Sequence, residues 1–399
     1  MQGATLLVCR EWIINDWLFV ILGLMCTIIV AKGMSMVNSW IENVFDFMKH
    51  NPKVLVVATS RKTRGGITSV VKAYEKSAMW NKFHCKWIET HRDGGISTKL
   101  WYILKGFAQF IVCLPFYDIV HLHTSEPPSA LRKMIFLSLS KIMRKKVIVH
   151  FHSFSVDTTI KSKYQWVYKF IFEKADCVLV LSKYWQDELC NTFSFNVDKI
   201  KVLYNPCTTE VSNKVYPKKK EILYAGTVNA RKGYADMINA FAYVADKHRD
   251  WSIVFAGNGE IEEGKALATR LGIDKQTVFL GWVRGDNKDK AFKEASVFCL
   301  PSYAEGFPMG VLDAWAYGLP VITTPVGGIP DIAKDGNNCL LFNPGDINKL
   351  AEQMDKLIIS EKLRTDIATE SSKLAKGIFS IEEVTSLLED LYKKIYRKN

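Results

Sequence analysis

The chain has 399 residues, too many for one ordinary core, so two domains are expected. Its 48% hydrophobic and 24% charged content excludes a disordered or fibrous protein, and nine cysteines without a C-x-x-C pair suggest reduced, buried thiols in the cytosol rather than a disulfide frame or zinc site. The net charge of +12 lies wholly in residues 1–204, with 27 Lys/Arg against 15 Asp/Glu, while residues 205–399 balance at 26 against 26; the first half is therefore expected to meet nucleic acid or an anionic membrane surface.

Residues 17–31 (WLFVILGLMCTIIVA) are 15 uncharged, mostly apolar positions. As a helix they would reach about 22 Å, short of a hydrocarbon core about 30 Å thick. Asn15 and Asp16 interrupt any extension through Trp12, Ile13 and Ile14, and no small-residue cleavage site is evident. A membrane anchor or interfacial helix and a dispensable leader remain two readings. The folded start is expected near residue 48.

From Pro52 onward, short apolar runs alternate with helix-like stretches. Residues 53–59 (KVLVVAT), 119–123 (IVHLH), 146–152 (KVIVHFH) and 177–181 (CVLVL) read as buried parallel strands. After Asn205 and Pro206 the pattern restarts at 222–225, 252–256, 278–280, 297–300 and 320–323. Two successive βα series predict two doubly wound domains joined near residues 205–220, where a KKK run suits a solvated linker. In the first series, the spacing predicts a helix over 100–117 that is apolar nearly all round. It also predicts one over 129–146 carrying Arg132, Lys133, Lys141, Arg144, Lys145 and Lys146. Such a pair fits either a sheet cover with a charged outer face or a membrane-surface element, and the charge excess favours the membrane.

Three tracts carry chemistry. In ATSRKTRGGITSVVKAY (58–74), Gly65 and Gly66 precede a helix whose free N–H groups suit an anion, although a ligand-free tight turn gives the same pattern. In YAGTVNARKGYADMINAFA (224–242), Arg231 and Lys232 sit on a short loop after a strand, where two cations suit a diphosphate; a solvated pair is the alternative. In EGFPMGVLDAWAYGLPVITTPVGG (305–328), Glu305 and Asp313 stand eight apart around the start of a helix.

The ordered motifs AG(x5)KG, FAGNGE, VFLGWV and LPSYAEGFPMGVLDAWAYGLPVITTPVGGIPDI resemble the retaining GT-B glycosyltransferases of family 4, of the surface-polysaccharide type. The resemblance covers about 170 residues of the second half. DIVHLH, VIVHFHS and the Gly-Gly loop agree more loosely. It implies an α/β GT-B fold of two facing Rossmann-like domains, divided as an apolar leader or membrane segment 1–48, an acceptor- and membrane-facing domain 49–208, a donor domain 209–375, and a C-terminal helical segment 376–399 packing back on the first domain. It also implies a UDP- or GDP-sugar as substrate and no separate cofactor.

By the same resemblance, Glu305 would hold the transferred sugar and Asp313 the ribose, while Lys232 would neutralise the diphosphate. Main-chain N–H groups around Met309, Gly310 and Val311 would meet the phosphates, with Phe307 and Pro308 leading into that helix. Trp282 and Val283 would lie along the base, and Gly65, Gly66, Gly226, Thr227 and Gly257 would line the donor site. His152 best matches the family's site histidine, so Glu305, His152 and Lys232 are the expected catalytic set. His123 and His150 rank second, towards the acceptor.

Two departures stand out. The second acid of the family's Glu-x7-Glu is Asp313, one methylene shorter, and the usual arginine after the glycine is Thr227, which leaves Arg231 to supply that charge. No Asp-x-Asp motif calls for a donor metal. The expected reaction is retaining, metal-independent hexosyl transfer to a lipid-linked oligosaccharide in bacterial O-antigen, capsule or exopolysaccharide synthesis. The expected place is the cytoplasmic face of the inner or plasma membrane. A GT-B epimerase or a phosphorylase explains the acid pair and Lys232 less well. A dehydrogenase lacks G-x-G-x-x-G after either first strand, and a nucleic-acid binder lacks a basic-aromatic or helix-turn-helix motif.

Overall fold

The structure is a computed structural model that describes residues 51–208 and 217–397. The apolar stretch 17–31 lies outside the described residues, as does part of the join between the two series.

Continuous apolar runs become central strands because both faces of a parallel sheet are covered. The first sheet contains β1 (Val54–Ala58), β2 (Lys86–Glu89), β3 (Ile119–Thr124), β4 (Lys146–Phe151), β5 (Cys177–Val180) and β6 (Ile200–Val202), in the order β2-β1-β3-β4-β5-β6. All its pairings are parallel. Its crossovers include α1 (Gly66–Lys76), α2 (Ala78–Lys82), α3 (Ile96–Cys113), α4 (Pro127–Ile142), α5 (Gln165–Lys174) and α6 (Lys183–Phe193).

The second sheet comprises β7 (Glu221–Ala225), β8 (Ser252–Ala256), β9 (Thr277–Gly281), β10 (Val297–Leu300), β11 (Val321–Thr323) and β12 (Leu340–Leu341). Its order, β12-β11-β10-β7-β8-β9, is the doubly wound dinucleotide-fold order read from the far edge. Helices α7 (Tyr234–Ala242), α8 (Ile261–Arg270), α9 (Asp286–Glu294), α10 (Met309–Ala316), α11 (Ile347–Ile359) and α12 (Glu361–Lys376) accompany it. The expected α/β fold with two Rossmann-like sheets is therefore observed. In each sheet the strand order reverses at one point, between β1 and β3 and between β7 and β10, and ligands in such folds bind outside the strand ends there.

The last helix, α13 (Ile381–Arg397), returns to the first sheet. Its Val384, Leu388, Tyr392 and Ile395 join a core with Val54, Val56, Ile119 and Ile148. All seven cysteines among the described residues are free thiols.

Two helices depart from expectation. The first begins at Ile96 and ends at Cys113, followed by a 3-10 turn at Leu114–Phe116. It buries Gly106, Phe110 and Cys113, because Gly106 presses on the Glu89 carbonyl, where an added Cβ would sit at 2.4 Å. Ile96, Leu100, Trp101, Leu104, Ile111 and Val112 remain exposed on its other side. The second ends at Ile142; Arg144 then adopts φ +55, and Lys146 opens β4 instead of extending the helix.

The basic character of α4 is also corrected. Lys133 is fully buried and donates to the Thr90 hydroxyl at 2.5 Å, Lys141 pairs with Asp176 at 2.7 Å, and Lys145 reaches the Pro115 carbonyl. Burial without a counter-charge lowers the Lys133 pKa well below the ordinary lysine value, with Arg132 adding to the effect. The charged face expected for this helix is thus partly interior.

Candidate active site

The loops after β7 and β10 meet at the switch point of the second sheet. Asn229 accepts from the Lys232 N–H at 3.0 Å and closes a short turn, Ala230–Lys232, that ends at Gly233 with φ +69. A Cβ on Gly233 would lie 1.9 Å from the Pro301 carbonyl oxygen, so only glycine lets the two loops approach this closely. Tyr303 N–H then donates to the Arg231 carbonyl at 2.8 Å, locking one loop to the other.

That framework brings the sequence-predicted charges together. Lys232 Nζ donates to Glu305 Oε1, which also accepts from Ser302 Oγ at 2.6 Å. Arg231 lies 3.7 Å from the same oxygen and donates to the Ala304 carbonyl at 2.5 Å. Glu305 is only 8% exposed. A buried carboxylate held by one lysine, one hydroxyl and a nearby guanidinium is fixed in place. Ser302 was not expected from the sequence, where it is one serine in a loop.

Around this pair lie the glycines and apolar residues expected from the sequence to line a donor site. Gly226 and Gly257 approach so closely that a Cβ on Gly257 would meet the Gly226 carbonyl at 1.7 Å. Tyr224 hydroxyl donates to the Thr227 carbonyl at 2.6 Å. Phe307 is buried, and Pro308 precedes α10, which has no side-chain cap; Met309, Gly310 and Val311 form its first turn. The Met309 and Gly310 N–H groups are therefore available to an anion, while that of Val311 donates to the Pro308 carbonyl at 3.1 Å. Val283 packs against the second core.

Asp313 occupies a different position from Glu305. It is buried, accepts from Thr208 Oγ1 at 3.0 Å, and pairs with Lys288 of α9 at 2.6 Å. The two acids thus share α10 and its approach but hold different partners. Lys288 was invisible to motif reading because it lies 25 residues before Asp313 in a polar helix.

Residues of the first half face these loops. The Arg231 guanidinium lies 4.4 Å from the centroid of the Phe154 ring, and Arg64 lies 5.0 Å from that of Trp282. A Cβ built on Gly66 would be 3.6 Å from Met309 Cγ, and one on Gly306 would be 2.6 Å from the Ser153 carbonyl. Gly65, at φ +132, has open space beside it and precedes α1, whose start has no side-chain cap. The Gly-Gly loop and the α10 start therefore oppose each other.

Three of the four histidines, His121, His123 and His150, form a buried row inside the first domain, and His152 is less enclosed. His121 and His123 project from β3, and His150 and His152 from the end of β4, with His123 and His150 directly paired across the strands. His123 Nδ1 lies 2.9 Å from His152 Nε2, and His121 Nδ1 lies 2.7 Å from Tyr392 hydroxyl. His123 and His150 are at most 1% exposed, which places these acceptor candidates inside the first domain; His152 is half-buried. Burial lowers the pKa of His121 and His152 to about 3 and holds His123 and His150 well below the ordinary value. All four are neutral imidazoles at neutral pH.

Comparison with known proteins places both halves of the chain among glycosyltransferase-like sequences. Residues 208–374 match the family Glycosyl transferases group 1, and residues 89–211 match Glycosyltransferase Family 4. An uncharacterized glycosyltransferase of Methanocaldococcus jannaschii is 26% identical over 300 residues, covering 69% of this chain and 75% of its own length. The capsular polysaccharide biosynthesis glycosyltransferase CapM of Staphylococcus aureus is 26% identical over 176 residues, covering 44% of this chain and 46% of its own. Anabaena HepE, solved in complex with UDP-glucose, superposes with a TM-score of 0.68 at 16% identity, over 86% of this chain and all of that one. The chain therefore carries the GT-B fold, with residues 89–211 similar to Glycosyltransferase Family 4 and residues 208–374 similar to Glycosyl transferases group 1.

Proposed function

We propose that the protein transfers a hexose-type sugar, with retention, from a UDP- or GDP-sugar to a lipid-linked oligosaccharide in bacterial surface-polysaccharide synthesis. The observation that carries this reading is the convergence of Lys232, Arg231 and Ser302 on buried Glu305 beside the uncapped start of α10. Departure of a nucleoside diphosphate builds negative charge on phosphate and positive charge on the sugar ring. Lys232, Arg231 and the α10 N–H groups stabilise the first, while Glu305 fixes the sugar through its hydroxyls. Lys232 then exchanges part of its contact with Glu305 for the diphosphate. The leaving phosphate takes the proton of the attacking hydroxyl, so the new bond forms on the face the donor leaves. His152 orients the sugar. Asp313 holds the ribose, with Lys288 and Thr208 fixing its carboxylate. A metal is not needed, because the two cations do the neutralising.

The UDP and UDP-glucose complexes of HepE support a nucleotide-sugar donor, and the capsule relative supports the product class. The basic first half and the exposed apolar face of α3 support an acceptor presented at the cytoplasmic membrane surface. A thermal-shift panel of UDP-sugars, GDP-sugars, NAD and oligonucleotides tests the donor class: only the nucleotide sugars or their diphosphates should raise Tm. Lys232→Ala and Glu305→Ala should each lower turnover by about 100-fold or more, as expected for removing preorganised charge, with unchanged circular dichroism. Near-normal turnover in either variant removes the assignment.

A further inference from the structure

The histidine row has more buried donor atoms than partners. Among the described residues, His121 Nε2, His123 Nε2, both nitrogens of His150 and the Tyr74 hydroxyl are buried and make no hydrogen bond. Buried polar groups are ordinarily satisfied, so five unpartnered polar atoms in one neighbourhood call for an account. One nitrogen from each of His121, His123 and His150 lies within 4.8 Å of the others.

We propose that His121, His123 and His150 hold a zinc-class divalent cation inside the first domain. Two observations converge on it. First, His121 and His123 each anchor Nδ1, on Tyr392 and His152 respectively, and leave Nε2 free. Metal-binding histidines are oriented in this way, with the second nitrogen tied to an outer partner. Second, the distances suit a small adjustment. A point equidistant from three atoms 4.8 Å apart lies about 2.8 Å from each, so each nitrogen moves in by less than about 1 Å to reach the 2.0–2.1 Å of a zinc–imidazole bond.

Imidazole nitrogens select zinc and its transition-metal neighbours over magnesium or calcium. The Tyr74 hydroxyl, on the residue whose ring lies 6.3 Å from His123, offers an oxygen as a fourth ligand. The site is distinct from the diphosphate position and does not rest on the donor reading. It bears on His152, however: with Nε2 of His123 ligated, the proton of that ring sits on Nδ1 and is donated to His152 Nε2. His152 then carries its own proton on Nδ1.

The test uses the full chain without a histidine tag, grown with added zinc and dialysed before elemental analysis. Wild type and His248→Ala, whose imidazole pairs with Asp355 elsewhere, should carry about one zinc per chain, and His150→Ala less than a tenth of that. If His150→Ala misfolds, calorimetric titration of chelator-stripped wild type decides. Zinc chloride should bind one to one and raise Tm, while magnesium chloride should do neither. A cobalt-loaded chain should show tetrahedral absorption without a thiolate charge-transfer band, separating imidazole ligation from the free cysteines. Folded wild type without stoichiometric zinc, or cobalt bound through thiolate, overturns the proposal; in the first case buried water occupies the row.

Discussion

Gly233 shows how one residue sets the geometry of the candidate site. It holds φ +69 and faces the Pro301 carbonyl, and its turn delivers Arg231 and Lys232 towards Glu305. A left-handed conformation costs a residue with a Cβ about 1–2 kcal/mol, and the 1.9 Å contact adds backbone displacement to that. Gly233→Ala should therefore lower unfolding stability by at least about 2 kcal/mol in urea titration and raise the donor KM, because the loop must retreat from β10. An unchanged midpoint with unchanged KM would show that the loops have slack. At this scale the sequence carried much of the site. Glu305, Lys232 and Arg231 were legible because their spacing matches an ordered set of motifs. The Lys288 and Thr208 contacts of Asp313 were not legible, since both depend on which helix lies against α10.

Among the elements, long apolar runs were readable and short edge strands were not. β1, β3, β4 and β5 each place four or more buried residues in succession, so their pattern has one interpretation. β2 (KWIE), β6 (IKV) and β12 (LL) are edge strands of two to four residues, and their sequences fit a loop equally well. The sequence of helix α3 is too apolar for a solvent face, and the structure leaves that face unburied. Its register gives a membrane test. Leu100, Trp101 and Leu104 occupy one side, all more than half exposed, with Lys99 and Lys105 alongside. The Leu100→Ser, Trp101→Ser and Leu104→Ser triple variant should lose at least about 10-fold in partitioning to anionic vesicles, since it removes three exposed apolar groups each worth more than about 1 kcal/mol when buried in lipid. Its Tm should stay within a few degrees of wild type. Flotation that persists unchanged would assign membrane contact to another element or to none.

Across the whole molecule, the chain returns to its starting domain through α13, and the strength of that return can be separated into packing and charge. Leu388 is fully buried with Val384, Tyr392 and Ile395 against the β1 and β3 face, near Phe83, which meets the Tyr392 ring edge-on at 5.4 Å. Glu389, one residue on, pairs with Lys82 at 2.5 Å at the surface, where Lys82 is nearly half exposed. Removing a buried leucine side chain costs about 2–5 kcal/mol because the lost burial is compounded by a cavity. An exposed ion pair contributes about 0–1 kcal/mol, since solvent screens it and two long side chains must be ordered. Leu388→Ala should accordingly shift the denaturation midpoint strongly and Glu389→Ala only slightly, despite the short salt-bridge distance. The contrast also reaches the histidine row. Tyr392, one helical turn beyond Leu388, carries the hydroxyl that anchors His121, so loosening α13 should increase hydrogen exchange in β3 as well as in the helix. If Glu389→Ala proves the more damaging change, α13 is held by charge at its rim, and its apolar face contributes little to joining the end of the chain to its first domain.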